Sequence, residues 1–149
     1  MRHAFWPFAV FAIAATQAQA AVPEFNPNCT DPQSNLEMKL CAKRDLDKAD
    51  AELNAVYAEA IKAAREQYRI AQANPGYQAM PNLEETLHKA QRTWIAFRDS
   101  NCEYHRQIYY GGSHAPLAYL LCKADATKQR VKELKSIVAG DEDDASPQQ

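Results

Sequence analysis

The chain is predicted to be all-α: three long helices, the last two folded back as a hairpin, stapled by two disulfides. Three observations carry this. Only four of the 149 residues are glycine, so the chain has few natural breaks. Apolar residues recur three and four apart over three long stretches, the period of a helix with one buried face. Four cysteines, an even number, lie within those stretches or, for Cys29, just ahead of the first. No segment shows strand-like alternation, and no internal repeat is found.

The N-terminus bears on location. Arg2 and His3 precede an almost unbroken apolar run from Ala4 to Ala15, and Ala18-Gln19-Ala20 supplies a small-x-small cleavage pattern. This is the form of a secretory signal peptide over residues 1–20, with a run too short to span a bilayer. The expected product starts near Ala21, carries no lipid-anchoring cysteine at its start, is not inserted in a membrane, and is periplasmic or secreted. Its 129 residues suffice for one domain over 21–140. Residues 21–140 hold 16 basic against 15 acidic side chains, which gives no basic excess for nucleic acid and no basic face for a membrane surface.

The first helix has two possible starts, Asp31-Pro32 and Ser34-Asn35-Leu36-Glu37, the second fitting an S-x-x-E capping box. It is expected to run to about Gln72 on a stripe of Leu46, Ala49, Leu53, Tyr57, Ala60, Ala64 and Tyr68. Leu36 and Leu40 lie about one residue out of phase, which predicts a kink or short break near Lys43 to Asp45. Asn74-Pro75-Gly76 stops this helix and Met80-Pro81-Asn82 prepares the next, with Asn82 as cap and Glu85 at the third helical position. The second stripe is Leu83, Leu87, Ala90, Trp94, Phe97, Asn101, His105 and Ile108, most of it expected in the core. Gly111 and Gly112 end it. Pro116 suits the first turn of a third helix, whose buried side is read as Leu117, Leu120, Leu121, Ala124, Val131, Leu134 and Val138, with Gly140 as its stop. Residues 141–149, with Asp141-Glu142-Asp143-Asp144, read as a disordered acidic tail.

The cysteines Cys29, Cys41, Cys102 and Cys122 are separated by 12, 61 and 20 residues. Zinc ligands come in closer pairs, so an exported chain with this spacing predicts disulfides. Cys102 lies about two turns before the second helix ends and Cys122 about two turns into the third, so an antiparallel hairpin sets them face to face. A leader folded back along the first helix joins Cys29 to Cys41. The loop-entropy model gives each bridge roughly 3 kcal/mol.

Three groups of residues bear on function. Asp50 and Asn54 share a face beside Leu53 and Tyr57, while Gln91, Arg98 and Asp99 border Trp94 and Phe97. An arginine near the core requires partners, so a structural polar network is predicted, Arg98 with Asp50 and Asn54. A paired-carboxylate hydrolase on Asp50 and Asp99 is disfavoured, because a neighbouring guanidinium lowers the pKa that a general acid needs raised. Glu85-x-x-His88 has no second copy to make a di-metal site, and Cys102-x-x-His105 has its cysteine in a disulfide. No nucleophile elbow, phosphate loop or zinc-protease motif occurs. No catalytic residue, metal ligand or cofactor site is therefore assigned. The third group is the segment Tyr109, Tyr110, Gly111, Gly112, Ser113 and His114. Two consecutive tyrosines at a helix end cannot both turn inward, so this loop is read as a pre-organised partner-binding edge.

The residues then match a family pattern in order: Cys29; Cys41; Ala49-Asp50-Ala51-Glu52-Leu53-Asn54 with Tyr57; Ala90-Gln91 with Trp94, Phe97, Arg98, Asp99 and Cys102; Tyr110-Gly111-Gly112-Ser113; Cys122; Thr127 with Arg130 and Leu134. The chain resembles the lysozyme-inhibitor LprI-like domain, a family of small exported bacterial proteins long catalogued as a domain of unknown function. The resemblance implies a helical, disulfide-linked domain of the bacterial envelope and, as for the family's namesake, inhibition of host lysozyme. It brings no catalytic residues with it. The expected function is an exported binding protein with a protein partner, inhibiting a cell-wall lytic enzyme such as c-type lysozyme by occluding its cleft. The other reading is a structural or chaperone-like envelope protein that binds other exported proteins through an apolar helix face.

Overall fold

Ser34 starts the first helix, α1 (Asn35–Gln72), its hydroxyl accepting the Glu37 amide. The Glu37 carboxylate reaches back to accept the Gln33 amide at 2.9 Å, so one donor of the first turn and one just ahead of the helix are met from side chains. These bonds from the Gln33 and Asn28 backbone hold the Glu37 carboxyl below its ordinary pKa. The computed structural model describes residues 25–140, so the expected signal segment at 1–20 and the expected disordered tail at 141–149 lie outside the described residues. At 1.5 Å per residue, α1 is about 57 Å long.

α1 runs unbroken through Lys43–Asp45, where the sequence predicts a kink. Its buried line is Ala42, Leu46, Ala49, Leu53, Ala60, Ile61 and Ala64. Ala42 extends the inner stripe one turn back in phase, so no change of direction is needed. Leu36 and Leu40, whose offset implied the break, face solvent instead.

The chain turns at a short 3-10 segment, Pro75–Tyr77, where the Asn74 side chain accepts the Gly76 amide. The second helix, α2 (Leu83–Ile108), is capped by Asn82, and the third, α3 (Ala115–Ala139), ends at Gly140. Gly140 has φ +71°, a left-handed cap that a side chain would strain. Cross-links give the directions. Asp50 meets Arg98, Tyr57 meets His88 and Arg65 meets Glu84, so α1 and α2 are antiparallel. Gln91–Arg130, Asp99–Lys123 and Cys102–Cys122 make α2 and α3 antiparallel as well. The fold is thus an up-down-up arrangement of three helices, with α3 lying most extensively along α1.

The core is the seam between α1 and α3. Leu53, Ala60, Val131 and Leu134 are its buried centre, flanked by Val56, Tyr57, Leu87 and Trp94. Leu117 and Ala124 are buried as expected and Thr127 is buried between Ala124 and Val131, but Leu121 and Val138 stand exposed. Both predicted disulfides form, Cys29–Cys41 and Cys102–Cys122, each with its Cα atoms 5.5 Å apart.

α2 departs furthest from its predicted packing. Its buried residues are Gln91, Arg98 and Cys102, whereas Ala90, Phe97, Asn101, His105 and Ile108 are exposed. The disulfide explains the rotation. Cys102 must face Cys122 on α3, and Arg98 and Gln91 fall one and three turns back on the same line. Phe97 and Asn101 sit off that line, so closing the disulfide carries them outward.

Candidate functional site

Three surfaces are built on this frame. The first is the loop between α2 and α3, over Tyr109–His114. Gly111 adopts φ +78°, which lets the chain reverse there. Cys102–Cys122 ties the two helices below the turn. Asn35 at the start of α1 donates its side-chain amide to the Ser113 hydroxyl at 2.8 Å. The Tyr109 and His114 rings pack edge to face at 4.7 Å. Held on three sides in this way, the loop leaves Tyr110 89 % exposed.

The second surface is a cavity of about 290 Å³ between α1 and α2, lined by Asp50, Leu53, Asn54, Tyr57, Gln91, Ile95 and Arg98. Arg98 anchors it. Its Nε donates to Asp99 at 2.9 Å, and its Nη1 donates to Asp50 at 3.0 Å and to the Thr127 hydroxyl at 2.9 Å. Lys123 also reaches Asp99. Burial alone would raise the Asp99 carboxyl, but its bonds to Lys123 and Arg98 outweigh that and hold it below the usual carboxylate range. Gln91 accepts from the Arg130 Nε at 3.0 Å. Both guanidiniums approach the Trp94 ring, Arg98 at 5.1 Å and Arg130 at 5.8 Å from its centroid, close enough for cation–π attraction. Further along α1, Tyr57 hydrogen-bonds His88 Nδ1 at 2.6 Å.

Asp50, Gln91, Arg98 and Asp99 are therefore brought together. Asn54 lies on the cavity wall, exposed, and makes no hydrogen bond to Arg98. Thr127 and Arg130 enter the sequence reading only through the family pattern, yet they are full members of the network. A signal for Thr127 is present in its helical spacing between Ala124 and Val131, and the structure buries it completely. Lys123 carried no such signal.

The third surface is the outward face of α2. Thr86, Lys89, Ala90, Thr93, Trp94 and Phe97 form an open, almost wholly apolar hollow, and Phe97 is 65 % exposed. Among the described residues, no group of three or more His, Cys, Asp or Glu side chains is placed to hold a metal ion.

This is a small disulfide-linked helical module whose described surfaces are a loop, a polar cleft and an apolar helix face. The chain belongs to the lysozyme inhibitor LprI family, whose model matches residues 28–134. A relative from Rhizobium meliloti (strain 1021), the uncharacterized protein R02472, is 32 % identical over 139 residues, covering 93 % of this chain and 96 % of that protein. The uncharacterized protein YecT of Escherichia coli (strain K12) is 35 % identical over 66 residues, covering 44 % of this chain and 38 % of that protein. A crystallised DUF1311 family protein from Pseudomonas putida KT2440 superposes with a TM-score of 0.57, covering 75 % of this chain and 98 % of that one. At 22 % identity that likeness shows a common fold. The two disulfides fit an extracytoplasmic location. Among the described residues no helix is long and apolar enough to cross a membrane. The family is named for inhibiting an enzyme, which implies a protein partner.

Proposed function

We propose that this chain is an exported inhibitor of a cell-wall lytic enzyme, working in the periplasm or beyond it, and that its target is a c-type lysozyme. The α2–α3 loop enters the enzyme's cleft with Tyr110 as its anchor. The observation that carries this reading is the 89 % exposure of Tyr110 on a loop fixed by Cys102–Cys122, Asn35–Ser113 and the Tyr109–His114 contact. An exposed tyrosine on a fixed loop binds with little loss of conformational freedom. The acidic run Asp141–Asp144 adds negative charge, which speeds encounter with a cationic enzyme. The test is lysozyme clearing of bacterial cell walls, followed by turbidity, with the oxidised protein added. Protection near one-to-one stoichiometry is expected. Tyr110→Ala should weaken it about thirtyfold, the effect of losing a central aromatic anchor. Lack of protection at large excess rejects c-type lysozyme as the target, and full protection by the variant rejects the loop.

The exposed hollow around Phe97 favours a second reading, a structural or chaperone-like envelope protein. Under it, the protein dimerises with concentration or holds several unrelated exported proteins. Phe97→Ser then abolishes that behaviour, whereas Tyr110→Ala leaves it intact.

A further inference from the structure

We propose that the cavity between α1 and α2 is a second binding site, for a neutral saccharide of about one ring bearing hydroxyl and amide groups. This does not rest on the inhibitor reading: Arg98 stands ten residues, about 15 Å along α2, before Ile108.

The argument begins with the polar groups that the fold leaves over. Arg98 and Gln91 are both more than nine-tenths buried. Arg98 engages Asp99, Asp50 and Thr127 through Nε and Nη1, and its Nη2 has no partner among the described residues. Gln91 accepts from Arg130 through Oε1, while its Nε2 is likewise without a partner there. Asp50 is engaged through Oδ1 alone, and the Asn54 amide through neither atom. Neither Arg98 Nη2 nor Gln91 Nε2 is sealed in the interior, since among the described residues Asn35 Oδ1 is the buried side-chain polar atom without a partner; both therefore meet solvent, and a ligand would take the place of water there. The cavity wall thus offers two unengaged donors, one carboxylate acceptor and one amide that does both.

The charges choose the ligand class. An entering cation would approach the Arg98 guanidinium, and an entering anion would approach Asp50, only 3.0 Å from it. Neither sign gains from both. A hydroxyl or an amide donates and accepts, so it can satisfy the arginine side and the carboxylate side together. Leu53, Ile95 and Tyr57 supply the apolar wall that the C–H face of a sugar ring requires. Tyr57 is fixed there by its bond to His88. About 290 Å³ is close to the lower bound of small-molecule sites, roughly 300 Å³, which suits one ring and not a long chain.

The experiment titrates the oxidised full chain with N-acetylglucosamine and follows backbone amide shifts by NMR, with acetate and guanidinium as charged comparators. The expected result is saturable shifts over Asp50–Tyr57 and Gln91–Arg98. Asn54→Ala should weaken the affinity about fivefold to tenfold, the effect of one lost hydrogen bond, while melting like the parent, since Asn54 makes no hydrogen bond within the fold. Three results overturn the proposal: no saturable shift at the solubility limit of the sugar, equal shifts with acetate or guanidinium, or undiminished binding by the variant.

Discussion

The two long contacts of this molecule are held by different chemistry. Along α1 and α3, Leu53, Ala60, Val131 and Leu134 close an apolar seam. The inner line of α2 is instead Gln91, Arg98 and Cys102, an amide, a guanidinium and a disulfide. An apolar seam rewards contact area and is tolerant of small rotations. A buried arginine with three partners in fixed directions is not tolerant, because any rotation leaves a charge or a hydroxyl unpaired. The seam supplies most of the driving force for folding. The polar line sets which way α2 faces.

Leu134→Ala should break the comparison most severely. Leu134 is fully buried in the seam, and a leucine-to-alanine change in a core costs about 2–5 kcal/mol. Thermal unfolding of the oxidised protein by circular dichroism would measure it. Arg98→Ala should cost less, roughly 1–3 kcal/mol, chiefly by leaving the Thr127 hydroxyl and its neighbours short of a partner. Asp50 and Asp99 are each about two-fifths exposed and can turn to water. If Arg98→Ala proved the costlier change, the polar line and not the seam would dominate stability.

The smallest effect is expected from pH. The Asp99 carboxyl is held below its ordinary pKa in the folded protein, so its ion pairs stabilise the fold above the unfolded value of about 3.9. That contribution disappears as pH falls through the lower folded value. The melting-temperature difference between the parent and Asp99→Asn should therefore be constant above about pH 5 and shrink below about pH 4. A difference that changes between neutral pH and pH 5 would contradict this assignment.

Much of the frame was legible because it rests on local chemistry. The Ser34 and Asn82 caps and the Gly140 stop each depend on a few adjacent residues, and all three appear where the sequence places them. The disulfide pairing was legible because the cysteines sit at matched depths on either side of a turn. The rotation of α2 is not legible in its apolar stripe, because the most regular part of that stripe runs through Phe97 and Ile108, both exposed. Periodicity marks a face as apolar without saying what it meets. The phase was available from another residue: taking Cys102 as the inward reference puts Arg98 and Gln91 on the buried line. Lys123–Asp99 and Arg130–Gln91 depend on the mutual rotation of two helices, and no spacing within one helix records that. The continuity of α1 turns on a small residue: Ala42 keeps the inner line in phase, whereas the larger Leu36 and Leu40, which break the phase, face solvent.

Cys102 and Cys122 stand on either side of the loop at Tyr109–His114. A protease that cut between Tyr110 and Gly111 would divide the polypeptide without dividing the molecule. The piece ending at 110 and the piece beginning at 111 would remain joined through sulfur, with α3 still seated along α1. Such a nicked protein would migrate as one species until reduced. The proposed working edge is also among the most exposed segments of the described chain, and the covalent bond beneath it turns a cleavage there into the loss of a loop and not of the fold.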